Sequence, residues 1–198
     1  MLDLGAGTGR LTRQLARSFE TVFAVEPDAD MRALIDVGTV LAGSGEAIPL
    51  EDSSVDGVFA GEAFHWFDAR RALVEIGRVL VPHGGFAILA MQWWETEPSL
   101  PENALALLRE PWERFGGPVH TDWDAFSTSP FEPLREESFE DELVVDAETL
   151  LAMYSTVSSL AALTDGERAA LLTALRPLLA GRYRVPIRHR LSWTRLRA

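Results

Sequence analysis

The sequence predicts an α/β fold built on a parallel sheet. Three observations carry that prediction. Short apolar runs such as Thr21-Val22-Phe23-Ala24-Val25 and Phe86-Ala87-Ile88-Leu89-Ala90-Met91 are apolar on both faces, as strands covered on two sides are. Segments with helical spacing of apolar residues lie between these runs. Strand and helix alternate through the first half, the order that right-handed crossovers between parallel strands produce.

Taken in order, the opening run Leu2-Asp3-Leu4 leads into Gly5-Ala6-Gly7-Thr8-Gly9. Leu11, Leu15 and Phe19 follow at i, i+4 and i+8, the stripe of an amphipathic helix. After the strand at 21–25, Pro27-Asp28 opens a short helix with Met31, Leu34 and Ile35 on its apolar side. Val37 to Ala42 reads as a third strand, and Val55 to Ala60 as a fourth. A helix carrying Leu73, Ile76 and Leu80 comes next, ended by Pro82 and a turn at Gly84-Gly85. Phe86 to Met91 is the fifth strand. The second half is less regular. It predicts helices at Asn103–Phe115, Ala147–Leu160 and Asp165–Leu179, a strand at Glu142–Val145, and an extended end at Tyr183–Leu196. With no internal repeat or low-complexity linker, residues 1–198 are expected to form one domain, a ligand-binding half over 1–91 and a second half over 92–198.

At 198 residues with 47% apolar and 24% charged side chains, the chain is long enough for a core without disulfide or metal staples. It has no cysteine, so thiolate metal sites and cysteine nucleophiles are excluded. No run of about 18 apolar residues occurs, so no membrane-spanning helix is expected. The first residues carry neither a basic region nor an apolar leader segment, which predicts a cytoplasmic location. The net charge of −12 disfavours general nucleic-acid binding, because an acidic surface repels phosphate. Residues 168–198 hold eight arginines and no acid, which leaves −20 on the rest of the chain. That basic tail either binds an anion or closes against acidic segments of the same fold, and the second is expected.

The strongest chemical signal is the glycine loop. A glycine-rich turn between strand and helix lets backbone approach a ligand closely, with helix N–H groups aimed at it. Glu26 ends the next strand, where an acid can take both ribose hydroxyls of a nucleoside. The spacing is G-x-G-x-G, with Arg10 next, and not the G-x-G-x-x-G that seats a pyrophosphate. A nucleoside without bridging phosphates is favoured over a nicotinamide or flavin dinucleotide.

Leu2 to Gly9 resembles motif I of the class I S-adenosylmethionine-dependent methyltransferases, an acid, an apolar residue and G-x-G-x-G. The likeness continues through Val25-Glu26-Pro27 with Met31, through Gly43 to Leu50, through Asp52 to Val58, and through Arg78 to Pro82 with Gly84-Gly85. Ala63-Phe64-His65-Trp66-Phe67-Asp68 is similar to the small-molecule branch, the trans-aconitate-type enzymes and relatives. The resemblance implies a Rossmann-like three-layer αβα sandwich, mostly parallel, with an antiparallel C-terminal strand. It implies S-adenosyl-L-methionine as cofactor and a small-molecule methyl acceptor, with no nucleic acid or membrane partner. Relatives have further residues ahead of the first strand, so an N-terminal segment is expected to be missing here.

Carried over residue by residue, the resemblance places the methionine ammonium at Asp3 and the amino-acid moiety on Gly5, Ala6 and Gly7. The ribose falls to Glu26 with Pro27, the adenine to Ser44, Gly45 and Glu46, and the meeting of methyl and acceptor to Phe64 and His65. Many relatives have aspartate where Ser44 stands, so a side-chain bond to the adenine amine is not implied. Plainer readings stay open beside these. Asp3 is either a ligand group or a buried acid satisfied by the fold, and Glu26 is either a ribose ligand or an acid at a helix entry. His65, among Phe64, Trp66 and Phe67, is either a catalytic base or a packed wall residue. Trp93, Trp94, Trp112 and Trp123 are candidates for an aromatic acceptor pocket, and His120-Thr121-Asp122-Trp123-Asp124 has weak ligand-like spacing without a second histidine. Two rival functions remain: a non-catalytic ligand-binding or interaction protein on a shortened methyltransferase fold, and a dinucleotide oxidoreductase.

Overall fold

In a computed structural model, residues 1–92, 100–115, 121–155, 157, 160 and 162–197 are described. The strands are β1 (Leu2–Leu4), β2 (Phe23–Val25), β3 (Thr39–Leu41), β4 (Val55–Gly61), β5 (Leu80–Gln92), β6 (Arg135–Asp146) and β7 (Arg182–Arg195). They form one sheet in the order β3-β2-β1-β4-β5-β7-β6, mostly parallel, with an antiparallel strand pair at the C-terminal end. The helices are α1 (Arg10–Leu15), α2 (Ala29–Arg32), α3 (Ala69–Val79), α4 (Glu102–Phe115), α5 (Ala147–Ser155) and α6 (Asp165–Leu175). The chain divides into two compact units, one of residues 1–91, 120–138 and 190–198, the other of residues 92–119 and 139–189.

The first unit carries the glycine loop. Its strands pair in parallel with Leu2 against both Phe23 and Val58, which centres β1 in the sheet. One face is covered by α3, whose Ala69, Ala72, Leu73, Ile76 and Val79 fall on a single side and are buried. Asp68 caps that helix by accepting from the Arg71 N–H. Beneath it Phe64, Phe86, Phe126 and Phe131 interlock, with Phe64 and Phe86 edge-on at 5.5 Å between ring centres.

In the second unit α6 packs with α4 and with α5. A capping box between Thr164 and Glu167 opens α6. The arginine-rich tail pairs with acids: Arg184 with Glu142 at 2.6 Å, Arg188 with Glu140 at 3.1 Å and Arg176 with Glu148 at 2.9 Å. The basic end thus closes against acidic segments of its own fold.

Several elements differ from the sequence expectation. The third strand starts at Thr39 because Gly38 adopts φ 78 against the Val22 carbonyl. The expected helix is shorter, α2 ending at Arg32: Ile35, beyond it, is buried, but Met31 on α2 and Leu34 after it face outward, since a helix of four residues presents too little face to bury all three. The expected turn at Gly84-Gly85 is instead part of β5, which begins at Leu80. Val55 pairs with Leu80 and Gly57 with Gly85, so β5 advances five residues while β4 advances two. This bulge absorbs Pro82, which has no N–H to donate, and His83 at φ 64. The expected strand at Glu142–Val145 is the end of a longer one, β6. The expected helix at Ala147–Leu160 is described as far as Ser155.

Candidate active site

The loop after β1 is held by its neighbours on both sides. The N–H groups of Gly5 and Ala6 both donate to the Val25 carbonyl, at 2.9 and 3.1 Å, so the turn is fixed to the end of β2. Gly5, Gly7 and Gly9 have φ of 70, 55 and 78, a region where side chains other than glycine are strained. Their surroundings differ. A Cβ on Gly5 would lie 2.6 Å from the Ala63 Cβ, and one on Gly9 would lie 3.0 Å from the Ile35 Cγ2, whereas one on Gly7 would meet nothing within 4 Å. The middle of the loop therefore faces open space, and its ends are clamped.

Two acids lie beneath it. Asp3 is 1% exposed, and its Oδ2 accepts from the Thr12 hydroxyl at 2.6 Å. Burial pushes its pKa up to about 6, opposed by the bonds from Thr12 and reinforced by the charge of Glu26. Glu26 is 6% exposed, with Oε2 accepting from the Gly7 N–H at 2.8 Å and Oε1 from the Asp28 N–H at 2.9 Å. Both plainer readings thus hold part of the truth, since each acid is braced by the fold as well as lying at the loop. Pro27 is exposed beside Glu26, and Asp28 caps α2 by accepting from the Asp30 and Met31 N–H groups.

Ser44, Gly45 and Glu46 form a tight turn after β3. Ser44 and Ala47 exchange backbone bonds at 3.2 Å, and the Glu46 Oε1 accepts from the Asp68 N–H at 2.8 Å. Gly45 lies against the Phe67 ring, where a Cβ would approach to 2.7 Å. Phe64 is 2% exposed, and its ring lies in the aromatic cluster, so what it offers a ligand is backbone. His65 is half-buried beside Trp66 at 5.1 Å between ring centres, and burial holds its pKa below the ordinary value, which keeps the imidazole neutral near pH 7.

Of the aromatic candidates, Trp123 belongs to the cluster around Phe64 and Phe126, while Trp112 is on α4 in the second unit. Trp93, Trp94 and His120 lie outside the described residues. No group of three metal-binding side chains occurs among the described residues, and none of their helices is long and apolar enough to cross a membrane.

Sequence reading missed three contributors. Thr12 donates to Asp3 from the first turn of α1. Arg13 spans from the Thr8 carbonyl at 3.0 Å to the Leu34 carbonyl at 2.9 Å and pairs with Asp36 at 2.8 Å, stapling the loop to the segment after α2. Glu62 follows β4 at φ 54, and its carboxylate accepts from the Met91 N–H. The first two are polar residues on an otherwise amphipathic helix and gave no motif. For Glu62 the available signal was an acid one residue past a strand end at the ligand edge of the sheet.

A separate groove of about 490 Å³ is lined by Asp56, Phe59, Glu132, Arg135 and Trp193 among others. Its lining includes Met1, ahead of β1, and none of the residues of the glycine loop, which follows β1. Loop geometry and not cavity size locates the site.

Residues 2–88 match the family described as the methyltransferase domain. An uncharacterized methyltransferase of Mycobacterium tuberculosis H37Rv is 40% identical over 126 residues, 60% of this chain and 49% of the relative. Malonyl-[acyl-carrier protein] O-methyltransferase of Methylococcus capsulatus is 33% identical over 187 residues, 89% of this chain and 64% of that one. A methyltransferase-like protein of Schizosaccharomyces pombe is 31% identical over 176 residues, 85% and 68%. The chain spans about half the length of the mycobacterial relatives it matches. Among solved structures, one assigned as a type II methyltransferase from Anaeromyxobacter dehalogenans superposes with a TM-score of 0.67 at 23% identity, covering 99% of this chain and 89% of that one. The chain belongs to the class I S-adenosylmethionine-dependent methyltransferase family.

Proposed function

We propose that this chain transfers a methyl group from S-adenosylmethionine to a small-molecule acceptor by in-line displacement. The observation that carries the reading is the pair of buried acids under an open glycine loop. Both acids are buried, and burial together with the charge of Glu26 makes Asp3 costly to ionise, so a cationic ligand over Gly7 relieves that cost. A pyrophosphate-bearing dinucleotide would add negative charge to the same place, which disfavours the oxidoreductase reading.

When bound, S-adenosylmethionine supplies an electrophilic methyl on a positively charged sulfur with a neutral leaving group. Asp3 answers the ammonium of the methionine moiety, and Gly5, Ala6 and Gly7 leave room for it. Glu26, with Pro27 beside it, takes the ribose hydroxyls on a carboxylate already oriented by two backbone donors. Ser44, Gly45 and Glu46 flank the adenine. Most rate gain comes from aligning donor and acceptor. Neutral His65 and the Phe64 backbone border the acceptor side. The acceptor is a small molecule and not nucleic acid, in keeping with a charge of −12.

Calorimetric titration with S-adenosylhomocysteine and with NAD tests the reading. Saturable binding of the first without the second is expected. Binding of NAD alone overturns it. Homocysteine-nucleoside binding without turnover on any of a panel of small acids, phenols and amines favours instead a non-catalytic binding protein on this fold.

A further inference from the structure

Glu62 is unusual on three counts that the cofactor roles do not use. It is a non-glycine residue at φ 54, a conformation that costs about 1–2 kcal/mol over the ordinary one. Strain of this kind persists where the surrounding fold imposes it and gathers at functional sites. It is also fastened twice to the end of β5. Its N–H donates to the Leu89 carbonyl at 2.9 Å, and its carboxylate accepts from the Met91 N–H. Third, its two chain neighbours touch the first turn of α1 and the glycine loop. Gly61 packs on Leu11 of α1, where a Cβ would come within 2.9 Å of Leu11 Cδ2, and Ala63 lies against Gly5. Glu62 therefore sits between a contact with α1 and a contact with the glycine loop, at the carboxyl edge of the sheet. It remains open to solvent, yet the protein around it desolvates the carboxylate and pushes its pKa up.

Resting on the methyl-transfer reading, we propose that Glu62 is the catalytic base of this chain and that the acceptor presents an O–H or N–H group to it. In the step, the lone pair of the acceptor oxygen or nitrogen forms the bond to the methyl carbon. The carbon–sulfur bond breaks with its pair left on sulfur, and the acceptor proton passes to a Glu62 carboxylate oxygen. Charge balances, since the sulfonium cation and the carboxylate anion are both consumed. The other carboxylate oxygen keeps the bond from Met91, which holds the base in place. A carboxylate acceptor needs no base and would bring a second negative charge beside Glu62, which is costly at close range. The residue thus selects against carboxylates, including the chemistry named for the Methylococcus relative.

The test uses the full chain saturated with S-adenosylhomocysteine at mildly alkaline pH and three ring-matched probes: phenol, aniline and benzoate. Phenol and aniline should bind at least about tenfold more tightly than benzoate. Glu62→Gln keeps an oxygen to accept from Met91 and removes the charge, so a purely structural latch predicts no change. The proposal predicts that the three affinities converge to within about threefold in that variant. With S-adenosylmethionine in place of the homocysteine form, any hydroxyl or amine turned over should lose kcat in Glu62→Gln with little change in KM for the methyl donor. Benzoate bound as tightly as the others, a preference that survives Glu62→Gln, or no binding of any probe at millimolar concentration overturns the proposal. Failure of S-adenosylhomocysteine itself to bind overturns the methyl-transfer reading instead, so the two failures are distinct.

Discussion

Adding one methyl group at Gly5 or at Gly7 separates the two demands on the glycine loop. Both residues have positive φ, so Gly→Ala at either costs about 1–2 kcal/mol in backbone conformation. At Gly7 that is the whole cost to folding, because a Cβ meets nothing within 4 Å. At Gly5 the new methyl would lie 2.6 Å from the Ala63 Cβ and 3.2 Å from the Phe67 Cζ. Neither Cβ can rotate away, so the backbone must move, which adds roughly 1–3 kcal/mol of overpacking. Gly5→Ala should therefore lose about 2–5 kcal/mol against about 1–2 kcal/mol for Gly7→Ala. Urea unfolding, with midpoint and slope fitted together, reads the difference directly. S-adenosylhomocysteine titration of the same proteins gives the second half. Gly7→Ala should weaken binding out of proportion to its small folding cost, because its methyl occupies the space a ligand needs. Equal stability of the two variants would refute the clamped-end, open-middle description of the loop. A Gly7→Ala protein with unchanged affinity would refute the placement of the ligand over Gly7.

The acids and the clamp behind the site give further expectations. Asp3 has a folded pKa of about 6, above its ordinary value of 3.8, so the folded state holds this proton more tightly than the unfolded chain does. Its contribution is present below pH 3.8 and is lost as pH rises to about 6; the full shift corresponds to about 3 kcal/mol. Asp3→Asn should flatten that part of the stability–pH curve, measured by urea unfolding in steps between pH 4 and 7; an unchanged slope would remove the assignment. Glu26→Gln sets an amide NH₂ against a backbone N–H donor, at a cost of about 1.5–3 kcal/mol. Affinity for S-adenosylhomocysteine should fall by about ten- to a hundredfold, and calorimetry showing no change would leave Glu26 a structural acid only. Arg78 donates to the Ile48 and Leu50 carbonyls at 2.8 Å each and forks onto Glu75, holding the segment after the Ser44–Ala47 turn against α3. Arg78→Lys cannot reproduce the fork and should cost about 2 kcal/mol, a fall in Tm of roughly 4–8 °C by thermal unfolding. An unchanged Tm would show that the fork is dispensable.

The sequence by itself determined the loop, the acid after β2 and the alternation that makes the sheet, because each is a local pattern. G-x-G-x-G requires positive φ whatever surrounds it, and a run apolar on both faces needs cover on two sides. The same locality explains where reading stopped short. Met31, Leu34 and Ile35 have helical spacing, but only contact with the rest of the fold decides that Ile35 alone goes in. Pro82 and Gly84-Gly85 carry turn chemistry, yet pairing of β5 with β4 made them a bulge inside a long strand. The motif around Phe64 resembles one that borders an acceptor, and only the packing of Phe86 and Phe126 showed that its ring belongs to the core. The bonds that set the electrostatics join residues far apart in the chain, Gly7 to Glu26 over 19 positions and Met91 to Glu62 over 29. Spacing in sequence can name the groups at a sheet's carboxyl edge. Which of them are buried, which are braced and which still face a ligand depends on partners that only tertiary packing brings together.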